Sequence, residues 1–213
     1  MPATGAGDHL LGEVRQLVAR VTAGGREALD AFHDLATAVL TTTVLAQSAA
    51  LRLYRGPRGQ DTAMLGSFAG PTEPLPLTDG RFLRLRIALS LVQENNKRRT
   101  RTETSSLQYQ LDPAGTRWVF RYDYSRFPTN KYPAAHVQLR GVLLEECLPG
   151  QGTALEHVHL PTGRVSLEAI IRLLIETFKV PPRTTPNVWR PLLALSERAF
   201  LDNAHQPLSG PDR

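Results

Sequence analysis

Residues 81–93 read RFLRLRIALSLVQ, and this stretch decides the fold class. Leucine or isoleucine occupies every second position from Leu83 to Leu91, and the positions between include Arg84 and Arg86. A repeat of two is typical of a half-buried β-strand, because successive side chains point to opposite faces of a sheet. We therefore predict a long strand with one apolar and one polar face.

Further strands follow at short intervals. The same alternation occurs in SSLQYQL (105–111), TRWVFRYDY (116–124), HVQLRGV (136–142) and HVHLP (157–161). The DPAG at 112–115 predicts a hairpin turn, with proline and glycine at their usual positions. Strands that follow one another this closely predict an antiparallel meander, since parallel strands need long crossovers.

Helical patterns flank the strands. Residues 165–182 predict a helix that is capped by Ser166 and ended by two prolines, and residues 186–201 predict another, with Pro191 tolerable only near its first turn. Residues 8–52 read as a helical hairpin interrupted at Gly24 and Gly25. The predicted class is α+β: an antiparallel meander sheet with helices packed on one face, preceded by the N-terminal helical hairpin.

Composition divides the chain into four segments without sharp boundaries. We expect an N-terminal helical segment at 8–55, a Gly/Pro-rich linker at 56–80 with one short strand near 63–68, a sheet with two C-terminal helices at 81–204, and a disordered tail at 205–213. The N-terminal helices could serve dimerisation or partner docking as well as core packing.

The chain has 213 residues and one cysteine, Cys147, whose setting indicates a structural residue in a reducing compartment. No secretory signal is evident at the N-terminus, and residues 35–51 are too short and too polar to span a membrane. We expect a cytoplasmic protein that requires no cofactor.

Charge is concentrated in the sheet region. Residues 81–140 contain twelve Lys and Arg against four acids, a net charge of +8, which leaves −3 for the rest of a chain whose total is +5. A local excess of positive charge favours an anionic partner, with nucleic acid first, although arginines scattered for solubility give the same composition.

The polar positions of the predicted strands share one face of the sheet. They comprise Arg84, Arg86, Gln108, Gln110, Arg121, Asp123, His136, Gln138, Arg140, His157 and His159. Any half-exposed sheet has a polar face, but one rich in Arg, His and amide side chains favours function over plain solvation.

Imidazoles beside arginines suit the cleavage of a phosphodiester. His136, His157 and His159 would supply acid–base chemistry, while Arg121 and Arg140 hold phosphate with Gln138 beside them. Asp123 would orient a histidine, or simply form an ion pair with Arg121 along the strand. This reading predicts that His157→Ala abolishes activity without unfolding the protein.

Two other features leave alternatives open. The three histidines could instead bind a metal, but no Cys, Asp or Glu stands at ligand spacing, so we assign no metal site. The run NNKRRTRTET contains Lys97, Arg98, Arg99 and Arg101, and predicts either a mobile basic finger that contacts phosphates or a solvated hairpin loop.

Part of the chain resembles the TumE-type toxins of bacterial toxin–antitoxin pairs. The similar parts are LQYQLDPAGTRWVFRYD, the histidine of HVQLRG, and VSLEAIIRLLIETF, within residues 101–178. The chain departs from that family at two places. Tyr124 stands where Asn is usual, and the close His-x-His pair of the family is found here only later, at His157 and His159, since Gln138 stands two positions after His136. The resemblance implies a small intracellular toxin that acts on RNA or translation and is partnered by a helix-turn-helix antitoxin.

Two functions thus remain. The first is a toxin-like protein that binds RNA on an exposed, Arg/His-rich sheet face and cleaves it without a metal. The second is a non-enzymatic module whose basic face binds nucleic acid or an acidic protein, with salt-sensitive binding that depends on residues 97–101.

Overall fold

A computed structural model describes residues 4–25, 27–57, 60–94, 96–128, 132–141 and 157–204. Cys147 and the predicted tail at 205–213 lie outside these ranges. The described chain is α+β, as predicted: two helices, an antiparallel sheet of eight strands, and two further helices. The helices are α1 (Thr4–Ala23), α2 (Ala28–Thr43), α3 (Leu167–Glu176) and α4 (Pro186–Ala204).

The strands are β1 (Leu51–Arg55), β2 (Thr62–Ser67), β3 (Leu75–Pro76), β4 (Phe82–Glu94), β5 (Lys97–Gln110), β6 (Trp118–Ser125), β7 (Ala135–Leu139) and β8 (Leu160–Pro161). Their order in the sheet is β1-β2-β4-β5-β6-β7-β8, and β3 pairs with β4 beside this path. All pairs are antiparallel, and the strands from β4 to β8 form the predicted meander.

The basic stretch after residue 95 is a strand and not a mobile finger. β4 and β5 form one long hairpin that remains paired out to Glu94 and Lys97, with Asn96 in the turn at a φ of 61°. Thr100 and Thr102 pair with Leu91 and Leu89, and β-branched threonine suits a pleated surface. The prediction of a loop was wrong because charge was weighed above this strand propensity.

The helical prediction for residues 8–52 extends too far. α2 ends at Thr43, where the hydroxyls of Thr41 and Thr43 bond back to the carbonyls of Thr37 and Val39 at 2.7 and 2.6 Å. Such back-bonding within a β-branched run weakens a helix. The chain then turns into β1, which pairs with β2.

Two glycines join the N-terminal hairpin to the sheet. Gly24 and Gly25 have φ values of 75° and 97°, which glycine adopts without a steric penalty. The Gly25 N–H donates to the Arg98 carbonyl at 2.8 Å, and a Cβ at Gly24 would overlap that carbonyl. The α1–α2 turn therefore requires glycine in order to approach β5.

The Gly/Pro-rich segment at 56–80 contributes β2 and β3 to the same sheet as β4. The short strand predicted near 63–68 is β2, one residue earlier at each end. Turns and short strands share this segment because its prolines and glycines interrupt the alternation.

The helices cover the face of the sheet predicted to be apolar. Leu83, Leu85, Leu107, Tyr109, Phe120 and Tyr122 are all buried there, together with residues of the four helices. Leu139 and Leu160, which were predicted to share this core, are 38% and 41% exposed. They lie on β7 and β8, at one edge of the sheet.

The C-terminal helices largely follow the sequence. Ser166 caps α3, with its hydroxyl accepting from the Ala169 N–H at 3.0 Å. Pro191 lies inside α4, in its second turn and not its first. Proline cannot donate to the carbonyl four residues earlier, so one bond is lost close to the helix start. No helix in the described ranges is long and apolar enough to cross a membrane.

Candidate functional site on the polar face of the sheet

Strand register brings the predicted site residues together. Asp123 on β6 pairs with His136 on β7, and Arg121 pairs with Gln138. Val137 pairs with Leu160, which places His159, the residue just before β8, beside Gln138. Cross-strand pairs such as these are close neighbours on one face. The polar residues of three successive strands thus form one group, here called the β6–β8 cluster: Arg121, Asp123, His136, Gln138 and His159.

The β6–β8 cluster is less exposed than predicted. His136 is 8% exposed and Gln138 is 5% exposed, so both are buried. The Tyr132 ring stacks on His159, with centroids 3.6 Å apart and planes 11° from parallel, and lies 6.1 Å from the His136 ring. An aromatic side chain from the β6–β7 connection therefore covers part of a face that the alternation alone predicts to be open.

A groove of about 390 Å³ runs from the cluster across the sheet. It is lined on the cluster side by Arg121, Asp123, Tyr132, His136 and His159, and further along by Met64, Arg86, Ala88, Thr104 and Ser106. Its volume is in the range of small-ligand sites. A bound molecule could touch both histidines and two arginines at once.

Arg121 is held in place by two neighbours. Its Nε donates to Asp123 Oδ2 at 2.7 Å, and its Nη2 donates to Gln138 Oε1. The ion pair along the strand that the sequence suggested is therefore present. Since a guanidinium can only donate, its contact with Gln138 also fixes which amide atom is the oxygen.

Hydrogen bonding fixes the tautomer of His136. Its Nδ1 lies 2.9 Å from the Pro133 carbonyl oxygen, which can only accept, so Nδ1 carries a hydrogen. In the neutral ring the lone pair is then on Nε2, which lies 3.8 Å from Asp123 Oδ2. A proton taken up at Nε2 would form an ion pair with that carboxylate. His136 is thus arranged to accept a proton at a defined atom.

His159 is arranged differently. Gln138 Nε2 lies 3.3 Å from His159 Nε2, and because the Gln138 oxygen is engaged by Arg121, the amide donates to the imidazole. The neutral ring then carries its hydrogen on Nδ1, which is buried and has no hydrogen-bond partner within the described ranges. Burial, followed by the charges of His136 and Arg121, lowers the pKa of His159 below its usual 6.5, and Asp123 only partly opposes this shift. The lowered pKa favours the neutral ring of His159.

His157 does not share a strand with His159. β8 contains only Leu160 and Pro161, and His157 lies ahead of it with an exposed side chain. The prediction of a strand through HVHLP placed His157 and His159 on one face because it assumed regular alternation. His157 is still near enough for its charge to lower the pKa of His159.

The remaining predicted residues lie apart from the β6–β8 cluster. The Arg140 guanidinium donates to the Thr116 carbonyl at the β5–β6 turn. Lys97 and Arg98 are exposed near the end of the β4–β5 hairpin, where Arg98 pairs with Asp61 at 3.3 Å. Arg99 and Arg101 line a cavity on the helix side of the sheet. The basic run is thus not part of the groove.

Sequence reasoning missed an aromatic group at the far end of the polar face. The Arg52 guanidinium lies 5.4 Å from the ring centroids of both Tyr54 and Phe68, and Phe68 is 61% exposed. Tyr54 pairs with Met64, and Met64 with Ala88, both of which line the groove. The Arg and Tyr at alternate positions of LRLYR were a usable signal, but the segment was assigned to the helical region. Tyr132 lies in a connection with no period to read.

Among the described residues, no three His, Cys, Asp or Glu side chains are arranged as a metal site. No protein-family model matches the chain, and no curated protein or solved structure is significantly similar to it. What this site does must therefore be argued from its own geometry.

Proposed function

We propose that the protein binds single-stranded RNA along the polar face of its sheet and cleaves it at the β6–β8 cluster without a metal ion. The observation that carries the proposal is the pair of histidine rings, His136 and His159, whose centroids lie 4.6 Å apart in a groove beside Arg121. Two imidazoles and a guanidinium at this spacing can contact one phosphodiester together.

In this proposal each histidine has a different role, consistent with its hydrogen bonds or its exposure. His136 Nε2 takes the proton of a ribose 2′-hydroxyl as its oxygen attacks phosphorus and forms the new O–P bond. The P–O5′ bond breaks, and O5′ leaves with a proton from His157, the exposed imidazole next to the cluster. The Arg121 guanidinium stabilises the charge on the phosphoryl oxygens. His159, whose N–H is buried, acts through Gln138, which donates to His159 and accepts from Arg121. The products are a cyclic phosphate and a free 5′-hydroxyl.

The aromatic group across the sheet supports a single-stranded substrate. The register Tyr54–Met64–Ala88–Thr104–Ser125 crosses five neighbouring strands, which is about 19 Å at the usual strand spacing. An exposed Phe68 beside Arg52 offers a surface on which an unpaired base can stack. Arg86 lies between that surface and the cluster as a further contact for the backbone.

The resemblance of residues 101–178 to TumE-type toxins supports the same substrate. It also supports a cytoplasmic protein that is held inactive by a helix-turn-helix antitoxin. In the structure, α1 and α2 pack on the sheet and α1 also packs on α4, so these helices serve the core. We keep their outer surface as the expected site of antitoxin docking or self-association.

The test is a cleavage assay of a single-stranded RNA on denaturing gels, with and without a chelator. His136→Ala should lower the rate by roughly 100-fold or more, because general acid–base catalysis contributes that much, and His157→Ala and His159→Ala should also slow it. His9→Ala, which changes an exposed histidine of α1, is the matched control. Each variant is first checked for an unchanged thermal unfolding transition.

Other outcomes separate the alternatives. Cleavage that survives in all three variants would remove the histidines from the mechanism, and cleavage lost in chelator would assign it to a metal ion. RNA that shifts on a native gel without being cut would indicate the binding module. One observation favours that second function. Tyr132 stacks on the His159 ring, and Gln138 donates to its Nε2.

A further inference from the structure

A second cavity lies on the opposite, helix-covered side of the sheet. Its volume is about 500 Å³, larger than that of the groove, and all four helices or their flanking residues contribute to its wall. It lies over the part of β4, β5 and β6 that includes Ile87, Leu107 and Tyr122. Since protein interiors are normally close-packed, a space of this size beneath the helices is unusual.

The inner wall of the cavity is apolar. Val21, Leu35 and Ala36 line it from α1 and α2, and Leu107 and Tyr122 line it from the sheet, all buried. Phe32 and Phe200, both half-buried, complete the wall from α2 and α4. A molecule with an apolar body would be transferred from water into an apolar surface here.

The rim carries positive charge. The Arg164 guanidinium lies 4.6 Å from the Tyr124 ring centroid and 5.3 Å from that of Phe200, which holds it across the cavity wall. Arg126 also lines the cavity, and its Nε donates to the Thr102 carbonyl at 3.4 Å and lies 4.0 Å from Glu103 Oε2. Arg164 is half-buried, whereas the Arg126 side chain is only 16% exposed and already has a carboxylate neighbour, so Arg164 is the principal cation of the rim.

Two carboxyl groups, those of Glu94 and Glu168, also line the cavity. Glu168, at the start of α3, is buried and bonded to the Ser196 hydroxyl. Burial raises the pKa of Glu168, aided by the charge of Glu197, while the Ser196 bond and Arg172 oppose the rise. A raised pKa favours the uncharged form of this carboxyl in an apolar wall, while the arginines supply positive charge at the rim.

We propose that this cavity binds an amphipathic anion: an apolar chain or ring system in the interior, with a carboxylate or phosphate at the rim held by Arg164 and Arg126. A guanidinium binds both head groups through paired donors, and the apolar wall accepts either body. The site is independent of the groove, because the two cavities lie on opposite faces of the sheet and differ in every lining residue except Ser105 and Tyr124.

The test compares two probes that share a tail and differ in the head group: decanoate and decan-1-ol, each titrated calorimetrically into the full chain below micelle-forming concentrations. Decanoate should bind about 10-fold or more tightly than the alcohol, since hydrogen bonds to charged groups are the strong ones. Arg164→Met, which keeps the length and apolar stem of the side chain, should weaken decanoate by about the same factor and leave the alcohol unchanged. Arg190→Met, an exposed arginine of α4 outside the cavity, is the control.

A second variant protects the test from misfolding. Ala36→Leu adds volume in the cavity wall and should lower the affinity for both probes while keeping or raising the thermal unfolding temperature. Equal binding of acid and alcohol would overturn the anion site, and so would a failure of decanoate to bind the folded chain. Decanoate binding unaffected by Arg164→Met and Ala36→Leu would place it elsewhere and equally overturn the proposal.

Discussion

The two faces of the sheet are both partly buried, but they are buried in different ways. On the helix-covered face, Leu83 and Leu85 are fully buried among other apolar side chains. On the polar face, Gln110 is equally inaccessible, but it accepts from Gln108 Nε2 and donates to the Asp112 carbonyl, both at 2.8 Å. Burial alone therefore does not identify the apolar core of this protein. What differs is whether a buried group is held by apolar contact or by a named hydrogen bond.

The largest expected effect tests this contrast with two residues that have no exposed surface. Leu85→Ala should lower the free energy of unfolding by about 2–5 kcal/mol, because it removes apolar contacts and leaves a cavity. Gln110→Ala should cost less, about 1–3 kcal/mol, mainly by leaving the buried amide of Gln108 without its acceptor. Both values come from urea unfolding monitored by tryptophan fluorescence. Equal costs would erase the distinction between the faces.

The next effect concerns the two ends of the polar face. Phe68→Ser should weaken single-stranded RNA binding by roughly 5- to 150-fold, which corresponds to the ~1–3 kcal/mol gained when one base stacks on an aromatic ring. Leu201→Ser, which changes a half-exposed residue of α4, is the matched control. Fluorescence anisotropy with a labelled RNA measures the affinity. Unchanged binding in Phe68→Ser would confine recognition to the β6–β8 cluster.

A smaller effect is expected within the β6–β8 cluster itself. Because the pKa of His159 is lowered, its ring resonances should titrate with a midpoint below pH 6.5. Arg121→Met removes one positive charge and frees the Asp123 carboxylate, and both changes favour the imidazolium, so the midpoint should move upward. NMR of the histidine ring protons gives the midpoint, with Arg190→Met as the control. A midpoint that stays fixed in Arg121→Met would mean that burial and His136, and not Arg121, set it.

The smallest expected effect is the pH dependence of stability caused by Glu168, which lies in α3 on the helix-covered side of the sheet. Proton linkage determines its sign. A raised folded pKa means that the stabilising contribution of Glu168 is complete below its ordinary value of 4.5 and is lost as pH rises through the folded value. The wild type should therefore lose stability relative to Glu168→Gln as pH rises above 4.5. Urea unfolding at several pH values measures this difference.

Glu197 provides the control for that titration. Burial opposes its ionisation, but bonds from Ser166 and Arg172 outweigh burial and lower the pKa of Glu197. Its contribution should therefore be present above 4.5 and lost as pH falls, so that Glu197→Gln shows a trend of opposite sign. Parallel trends in the two variants would contradict a raised pKa of Glu168.

The part of the fold that could be predicted is the part governed by short-range repeats. Alternation from Leu83 to Leu91 identifies β4, and the Ser166 cap with a helical stripe identifies α3. β1 was missed because five residues after a helix give too little alternation to override the preceding pattern. The basic part of β5 was missed because its charges favour a solvated loop, although its threonines favour the strand that pairs with β4.

The candidate site was predictable to the same extent. The alternation of side chains along each strand predicts one shared face for Arg121, Asp123, His136 and Gln138. The strand register confirms that grouping. Alternation could not reveal that Tyr132 covers His159 or that Gln138 fixes the tautomer of His159, because both depend on the path of a connection and on atomic distances. The helix-side cavity had no sequence signal, since its wall combines residues from seven separate elements and their connections.

The packing of α1 against α4 has a consequence for synthesis of the chain. A Cβ at Gly7 would lie 3.2 Å from Val188, so residues about 180 positions apart meet directly. A ribosome adds roughly 5–20 residues per second, so α1 waits on the order of 10–40 seconds before its partner emerges. During that interval, the apolar surface of α1 that packs on α4 must be covered by α2 or by a chaperone. α1 therefore cannot complete its final packing until α4 has been made.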